Sequence, residues 1–146
     1  MATVPFLDLL SINQKYSQEF SGALQRVLDS GWVILGKEVE SFEREFADFL
    51  GVSHCVGVAN GLDALILSLM AFMELGHMSE GDEVLVPANT YIATILAVFQ
   101  AGLVPILVEP NPKTYLMDAS HLEKCTSPRT RAVLPVHLYG RVCPMP

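Results

Sequence analysis

The sequence predicts an α/β fold with a mostly parallel sheet and helices on its faces. Short apolar runs alternate with longer segments of helical periodicity, and turn residues separate them. Parallel strands need a long crossover connection, which a helix usually supplies. We expect the fold to be incomplete, because the sequence ends soon after its last strand, at Val142–Pro146, without a closing helix.

Two helices are predicted before the first strand, over residues 13–30 and 36–50, where apolar side chains recur at helical spacing. Strands and helices alternate from residue 54 onward. We therefore expect a helical segment over 1–52, packed on the first part of an α/β domain over 53–146. The predicted strands are 54–58, 83–86, 104–108 and 131–136, and the helices between them are 62–75, 91–101 and 118–124, with Asp118 as the N-cap of the last.

Charge and composition exclude several partners. The chain of 146 residues has a net charge of −7 and only 9 lysines and arginines, so it lacks the basic stripe that nucleic acids require. No run approaches the roughly 18 apolar residues of a membrane helix, and the N-terminus lacks the basic start of a signal peptide. The apolar fraction of 51% is high. We expect the surplus to pack against a partner subunit or a remainder of the chain; the alternative is an apolar-rich core.

The three cysteines indicate a reducing, cytoplasmic compartment, because their odd number does not suit a disulfide framework. Two pairs, His121 with Cys125 and His137 with Cys143, have spacings that invite a zinc interpretation. Neither shows the paired ligands of a zinc site, so no metal is expected.

A candidate anion site follows the first predicted strand, where Asn60 and Gly61 form a turn before a helix. Gly61 allows a ligand to approach the backbone closely. The amides of Leu62, Asp63 and Ala64 are expected to point out of the helix and, with its dipole, to bind phosphate. The alternative is an ordinary strand-to-helix turn.

A second cluster, Pro87–Thr94, occupies the equivalent place after the next strand. Asn89 or Thr90 is expected to cap the following helix. Tyr91, in its first turn, would project over the edge of the sheet, where a flat aromatic side chain can stack on a heteroaromatic ring. The alternative is a capping threonine beside a partly buried tyrosine.

In order and spacing, the two clusters resemble the DegT/DnrJ/StrS family of pyridoxal-phosphate sugar aminotransferases. The similarity covers almost the whole chain. It implies the N-terminal part of the large domain of a fold type I, aspartate aminotransferase-like transferase. Further segments that carry it are Pro5–Leu9, Leu28–Val39, Gly81–Tyr91, Thr114–Asp118 and Pro135–Gly140.

The resemblance implies pyridoxal 5'-phosphate as the cofactor. Backbone amides would hold its phosphate, Tyr91 would stack on its ring, and two polar residues would shape the pocket. The implied cofactor residues are Gly61, Leu62, Asp63, Asn89, Thr90 and Tyr91; the implied substrate-side residues are Trp32, Lys37, His137 and Tyr139. A hydrogen-bonded core histidine is the alternative for His137. Many family members carry threonine where Leu62 stands, so here the phosphate would depend on backbone amides.

The segments Val58–Leu65, Val86–Thr94 and Leu107–Pro110 are most similar to the subgroup that acts on dTDP-3-keto-6-deoxyhexoses. Those enzymes take the amino group from glutamate and make 3-amino-3,6-dideoxyhexoses for surface polysaccharides. The resemblance also implies a homodimer with active sites at the subunit boundary.

Transamination requires a lysine that forms a Schiff base with the cofactor and a carboxylate at the pyridine nitrogen. The resemblance places both beyond Pro146, so this chain alone is expected to be inactive. Lys15, Lys113 and Lys124 are interpreted as surface residues. Two alternatives remain: a sugar dehydratase or deoxygenase of the same family with the lysine replaced by histidine, and a non-catalytic fragment.

Overall fold

The computed structural model describes residues 4–145. Residues 1–3, at the start of the segment considered for a signal peptide, and Pro146, at the end of the closing segment, lie outside that range. The chain divides after Gly57 into two compact units. The predicted division was at 52/53, five residues earlier.

The first unit is helical. Its elements are α1 (Leu9–Lys15), α2 (Ser17–Ser30) and α3 (Lys37–Leu50). The single helix predicted over 13–30 is wrong: Tyr16, with φ −114° and ψ 11°, ends α1 and precedes α2. No proline or glycine marks the break at Tyr16, and helical periodicity alone does not show where one helix ends and the next begins. Gly31 and Gly51 end α2 and α3 in the left-handed conformation.

The second unit has a parallel sheet covered by helices, as the sequence predicts. Its strands are ordered β2-β1-β3, with β1 in the centre and both neighbours parallel to it. A short 3-10 turn, Leu138–Gly140, follows the last strand. The elements are α4 (Gly61–Glu74), β1 (Glu83–Pro87), α5 (Ile92–Gln100), β2 (Val104–Val108), α6 (Ala119–Cys125) and β3 (Thr130–Val133).

The strand predicted over 54–58 is wrong. These residues form no strand, and three of them, His54, Val56 and Val58, are exposed. A strand is stable only when its backbone groups pair with a neighbour. Here the Gly57 amide donates instead to Glu43 Oε1, at 2.6 Å. A short apolar run is an ambiguous signal for a strand, because it does not show whether a neighbour exists.

The core lies on both faces of β1, because successive side chains of a strand point to opposite sides. Val84 and Val86 pack with Val98 of α5 on the face that α4 also covers. Leu85 packs with Val108 on the other face, beside α6. All five residues of β1 are buried. Burial on two faces explains why the strand is a continuous apolar run rather than an alternating one.

One charge is buried at the start of β1. Glu83 is 4% exposed. Its Oε2 accepts from Ser127 Oγ at 2.5 Å, and its Oε1 lies 2.6 Å from Arg129 Nη2. The Ser127 hydrogen bond, with smaller contributions from Arg129 and Thr130, lowers the pKa of Glu83 although burial opposes this. The cluster joins the start of β1 to the segment that leads into β3.

Replacing Glu83 by glutamine should lower stability at neutral pH. A carboxylate whose folded pKa is lowered stabilises the fold above its unfolded pKa, and this contribution is lost as pH falls through the folded pKa. We therefore expect wild-type unfolding free energy to decline as pH drops below 4.5, the ordinary pKa of a glutamate, and Glu83→Gln to show a weaker decline. Urea unfolding followed by circular dichroism measures both.

The matched control is Glu74→Gln, because Glu74 is exposed at the end of α4. This variant should follow the wild-type pH dependence. Equal pH dependence of wild type and Glu83→Gln would contradict a stabilising role for the buried carboxylate.

Candidate functional site

The carboxyl ends of the three strands lie at one edge of the sheet, because all three are parallel. Loops from this edge start after Pro87, Val108 and Val133. Ligands of open α/β sheets bind at this edge. Helix α4 packs beside α5 and connects to β1 through residues 75–82. Leu62, in the first turn of α4, packs against the cluster that contains Val84 and Val86.

The turn before α4 is ordered by Asn60, its N-cap. Asn60 Oδ1 accepts from the Asp63 amide at 3.0 Å, and Asn60 Nδ2 donates to Asp63 Oδ2 at 3.0 Å. The Asn60 carbonyl accepts from the Ala64 amide at 3.1 Å. The expectation that Asp63 and Ala64 offer free amides is therefore wrong, because the N-cap residue satisfies both.

Two other amides remain at this helix start. Among the described residues, the Gly61 and Leu62 amides donate to no acceptor. A Cβ added to Gly61 would meet no atom within 4 Å, so the space beside this residue is open. Two free amides, the positive end of α4 and open space form a suitable site for an anion.

The segment after β1 differs from its predicted form. Neither Asn89 nor Thr90 caps α5: the N-cap is Tyr91, which makes no side-chain capping bond. Thr90 Oγ1 instead lies 2.8 Å from Thr94 Oγ1, and Asn89 Nδ2 donates to the Tyr115 carbonyl at 3.0 Å. Both polar side chains therefore order the loop by contacts that the local sequence did not show.

Tyr91 has an extended backbone, with φ −65° and ψ 140°, and is 77% exposed. Its ring is therefore accessible at the edge of the sheet, as expected for a stacking residue. Asn89 Oδ1 is buried and has no hydrogen-bond partner among residues 4–145. Buried polar atoms without partners are rare, so the lack of a partner for Asn89 Oδ1 requires an explanation, such as a group that binds at this loop.

The loop after β2 is stabilised by Asp118, the N-cap of α6, as predicted. Its carboxylate accepts from Ser120 Oγ at 2.7 Å and from Asn111 Nδ2 at 3.0 Å. These two hydrogen bonds, with a smaller one from the His121 amide, lower the pKa of Asp118 to about 2. The loop is thus anchored at both ends by one carboxylate that stays ionised.

His137 and Tyr139 follow β3, and both are exposed. His137 Nδ1 lies 3.0 Å from the Cys143 amide, which can only donate, so Nδ1 accepts and the neutral ring carries its proton on Nε2. This histidine is hydrogen-bonded but not a core residue. It presents an N–H donor from the loop after β3.

The other two substrate-side candidates, Trp32 and Lys37, lie in the first unit. Trp32 is 67% exposed, and Lys37 is the first residue of α3. Both line an open cavity of about 620 Å³. A Cβ on Gly36 would lie 3.2 Å from the Trp32 carbonyl, so a larger residue here would require its neighbours to move by a few tenths of an ångström. The bidentate pair of Arg26 with Glu38, at 2.6 and 3.0 Å, closes one side.

Residues 14–146 match the model of the DegT/DnrJ/EryC1/StrS aminotransferase family. The chain belongs to this family. It is 51% identical over 142 residues to the dTDP-3-amino-3,6-dideoxy-alpha-D-galactopyranose transaminase of Aneurinibacillus thermoaerophilus. The aligned region covers 97% of this chain and 38% of that relative.

Two solved structures are similar. DesV of S. venezuelae, in complex with a ketimine intermediate, gives a TM-score of 0.87 at 47% identity and covers 98% of the chain and 38% of DesV. The E. coli GDP-4-keto-6-deoxy-D-mannose-3-dehydratase with bound hydrated PLP gives 0.74 at 28% identity, covering 96% and 33%. The chain thus spans between 33% and 38% of the length of these similar proteins.

Within residues 4–145, no three histidine, cysteine or acidic side chains come together as metal ligands. Nδ1 of each histidine in the zinc interpretation is within hydrogen-bond distance of a backbone group: His121 Nδ1 lies 2.8 Å from the Glu109 carbonyl, and His137 Nδ1 accepts from the Cys143 amide. The three cysteines are free. No helix of the described range has both the length and the apolar character needed to cross a membrane.

The roles of two residues that order the candidate site are not predicted from the sequence. Asn60 is predicted to form the turn but not to cap the Asp63 amide, although the spacing Asn-x-x-Asp resembles a capping box. Tyr115 enters the sequence analysis only within the segment Thr114–Asp118. Its contact with Asn89 spans 26 positions, so no local pattern predicts it.

Removing the Asn60 side chain should destabilise α4. Asn60→Ala leaves the Asp63 amide without an acceptor and should cost about 1 kcal/mol of unfolding free energy, the usual cost of a lost N-cap. Asn60→Ser keeps an accepting oxygen without placing a second carboxylate beside Asp63, and should stay within a few tenths of a kcal/mol of wild type. Urea unfolding measures both variants. Equal destabilisation by alanine and serine would show that the capping oxygen contributes nothing.

Proposed function

We propose that this chain supplies the phosphate-binding and ring-binding side of a pyridoxal-phosphate nucleotide-sugar aminotransferase. The observation that carries the proposal is the pair of free amides at Gly61 and Leu62, beside open space at the start of α4. Family membership and the similarity to a dTDP-sugar transaminase support it. Because the chain spans 38% of that relative, we propose the activity for a longer protein that contains this chain.

The residues present fit the phosphate of this cofactor. A phosphate needs several donors, and backbone amides at a helix start provide them without a lysine. This suits a chain with a net charge of −7. Asp63 does not block the site with an unpaired charge, since its Oδ2 accepts from Asn60 Nδ2. We propose that the amides of Gly61 and Leu62 hold the phosphate directly and that Asp63 acts indirectly, through the turn that Asn60 orders.

The loop after β1 fits the cofactor ring. Tyr91 offers an exposed aromatic face, and stacked aromatic pairs stabilise a complex by about 0.5–1.5 kcal/mol beyond area burial. Thr90, with its hydroxyl 2.8 Å from Thr94, and Asn89 shape the pocket beneath. This arrangement requires α4 to begin at the same sheet edge from which the loop emerges, which is the usual place of ligand sites in such sheets.

When bound, pyridoxal phosphate supplies an electron-withdrawing ring for chemistry at the amino-bearing carbon. The residues of this chain orient that ring: the α4 amides fix one end, and Tyr91 covers one face. His137 offers an Nε2–H donor at the sheet edge, where a sugar oxygen is a suitable acceptor. We propose that the lysine and the carboxylate that complete the site come from sequence beyond Pro146.

We propose a dTDP-3-keto-6-deoxyhexose as the amino acceptor and glutamate as the donor. The similarity to a dTDP-3-amino-3,6-dideoxy-galactose transaminase favours this substrate. Trp32 and Lys37, beside a cavity of about 620 Å³, are the proposed contacts to the nucleotide sugar from the first unit. An aromatic face and a cation suit a base and a diphosphate, respectively.

We also propose that the protein is a cytoplasmic homodimer. Large apolar side chains of α2 and α3 are exposed, and exposed apolar patches of this kind mark interaction sites. The largest are Phe20, Leu24, Leu28, Phe42, Phe46 and Phe49, between 41% and 82% exposed. Three free cysteines suit a reducing compartment.

Filling the space beside Gly61 should weaken cofactor binding without loss of stability. Gly61→Ala places a methyl group where the phosphate would lie, and nothing in the fold opposes it. We expect the Kd for pyridoxal phosphate in the full-length protein to rise about tenfold, or about 1.4 kcal/mol. Absorbance titration measures the Kd, and urea unfolding checks stability.

The matched control is Gly22→Ala in α2, whose added methyl group would contact only Arg26, at 3.7 Å. It should leave the Kd unchanged. A Gly61→Ala variant that binds as tightly as wild type would contradict phosphate binding at these amides. NMR titration of the chain with no shifts at residues 61–64 would favour the non-catalytic alternative.

The substrate proposal is tested by incubating the full-length protein with dTDP-3-keto-6-deoxyglucose, glutamate and pyridoxal phosphate. Mass spectrometry should detect the 3-amino sugar. Activity restricted to 4-keto isomers, or to UDP or GDP sugars, would reject this substrate. Loss of a sugar hydroxyl without amine transfer to the product would instead establish the dehydratase alternative, which the similarity to the E. coli dehydratase keeps open.

A further inference from the structure

Tyr115 has an unusual backbone in the loop between β2 and α6. Its φ is 61°, in the left-handed region that favours glycine. Among the described residues, only Leu35 and Tyr139 share a positive φ without being glycine. Tyr115 and Tyr139 contact each other, with ring centroids 6.5 Å apart and planes at 87°. Two of the three such residues therefore form one edge-to-face pair.

This tyrosine connects the loops that follow all three strands. Its carbonyl accepts from Asn89 Nδ2, in the loop after β1, at 3.0 Å. Its ring meets Tyr139, in the loop after β3. Its own loop follows β2, and there its amide donates to the Asn111 carbonyl at 2.8 Å.

The left-handed backbone is maintained by the loop around it. Asn111 fixes the loop on three sides: its amide donates to the Leu116 carbonyl at 2.9 Å, its Oδ1 accepts from the Lys113 amide, and its Nδ2 donates to Asp118. Glycine would adopt the same conformation at lower cost. Non-glycine residues in this region persist where surrounding structure imposes them, and they concentrate at functional sites.

Core packing does not explain the ring pair, since Tyr115 is 54% and Tyr139 is 82% exposed. What the contacts achieve is order at the edge of the sheet. The carbonyl of Tyr115 fixes the orientation of the Asn89 amide, and Asn89 is two residues before Tyr91. The ring restrains Tyr139, which is two residues after His137. Asn89 and Tyr139, which are close in sequence to Tyr91 and His137, are thus both held by the loop after β2.

We propose that Tyr115 is a positioning residue for the active site, holding Asn89 through its carbonyl and Tyr139 through its ring. The proposal rests on the function proposed above. As a positioning residue, Tyr115 would act by setting the loops of residues 88–91 and 136–140, from which Tyr91 and His137 act.

The test uses the full-length protein with Tyr115→Gly, which keeps the left-handed backbone and removes the ring, and Tyr115→Phe, which keeps the ring. The Tyr115 hydroxyl donates to no partner in the described structure, so phenylalanine should restore wild-type values. The matched control is Lys113→Ala, an exposed side chain of the same loop. Readouts are hydrogen–deuterium exchange of the cofactor-free protein, absorbance of bound pyridoxal phosphate, kcat and KM, and the urea midpoint.

We expect Tyr115→Gly, which loses the ring but keeps the carbonyl that accepts from Asn89, to raise exchange several-fold in residues 136–140 at a wild-type urea midpoint. Asn89→Ala, which removes the donor to that carbonyl, should raise exchange in residues 88–91. In Tyr115→Gly, the absorbance of bound cofactor should shift and kcat should fall about tenfold with a smaller change in KM. If Tyr115→Gly does not fold, Tyr115→Asn serves instead, since asparagine tolerates the left-handed region.

Wild-type exchange in residues 136–140 of Tyr115→Gly, or in residues 88–91 of Asn89→Ala, would overturn the proposal, as would raised exchange that phenylalanine at position 115 fails to restore. A lowered midpoint with changes spread over the whole chain would also overturn it, since that is the result of a purely structural role. A wild-type protein that binds no pyridoxal phosphate would contradict the proposed function alone. The exchange result would still decide whether Tyr115 positions the two loops, because exchange is measured without cofactor.

Discussion

The second unit depends on the burial of β1 between two parallel neighbours. Each face of this strand contributes to a different cluster, with Val84 and Val86 on one side and Leu85 on the other. Burying such side chains stabilises a fold by about 1.5–3 kcal/mol each. The strand has no exposed side chain and pairs in parallel with β2 from Glu83 to Pro87 and with β3, where the register shifts between Glu83 and Val84. That register brings the three following loops to one edge of the sheet, and the candidate site is assembled there.

The two ends of the sheet use polar groups differently. At the start of β1, Glu83 is buried and fully engaged by Ser127, Arg129 and Thr130, which makes that end a rigid connection. The groups proposed to bind the cofactor are instead left available: the Gly61 and Leu62 amides at the start of α4 have no acceptor in the described chain, and Tyr91, in the loop after β1, is exposed. This contrast is the physical reason to assign stability to one end and binding to the other.

The site is ordered by contacts that are distant in sequence. Asn60 orders its own turn, but Asn89 depends on Tyr115, and Tyr115 on a loop fixed by Asn111 and Asp118. Asp118, with a pKa of about 2, remains a carboxylate at any ordinary pH, so this support does not vary with protonation. A pocket on loops is useful only when those loops hold their geometry, and here hydrogen bonds provide it together with the buried Leu116 and Met117 of the loop after β2.

The sequence by itself determined the α/β class, the central strands, the N-cap at Asp118 and the family, because apolar periodicity, capping residues and motif order are local properties. It could not reveal that 54–58 lacks a strand partner or that Tyr16 divides the first helix. Of the three amides that it predicts to be free, that of Leu62 has no acceptor in the described chain, whereas the Asn60 side chain and carbonyl satisfy those of Asp63 and Ala64. Only the tertiary structure decided which donors stay free and how Tyr115 holds Asn89, because hydrogen bonds between distant segments depend on how the chain returns to the same edge of the sheet.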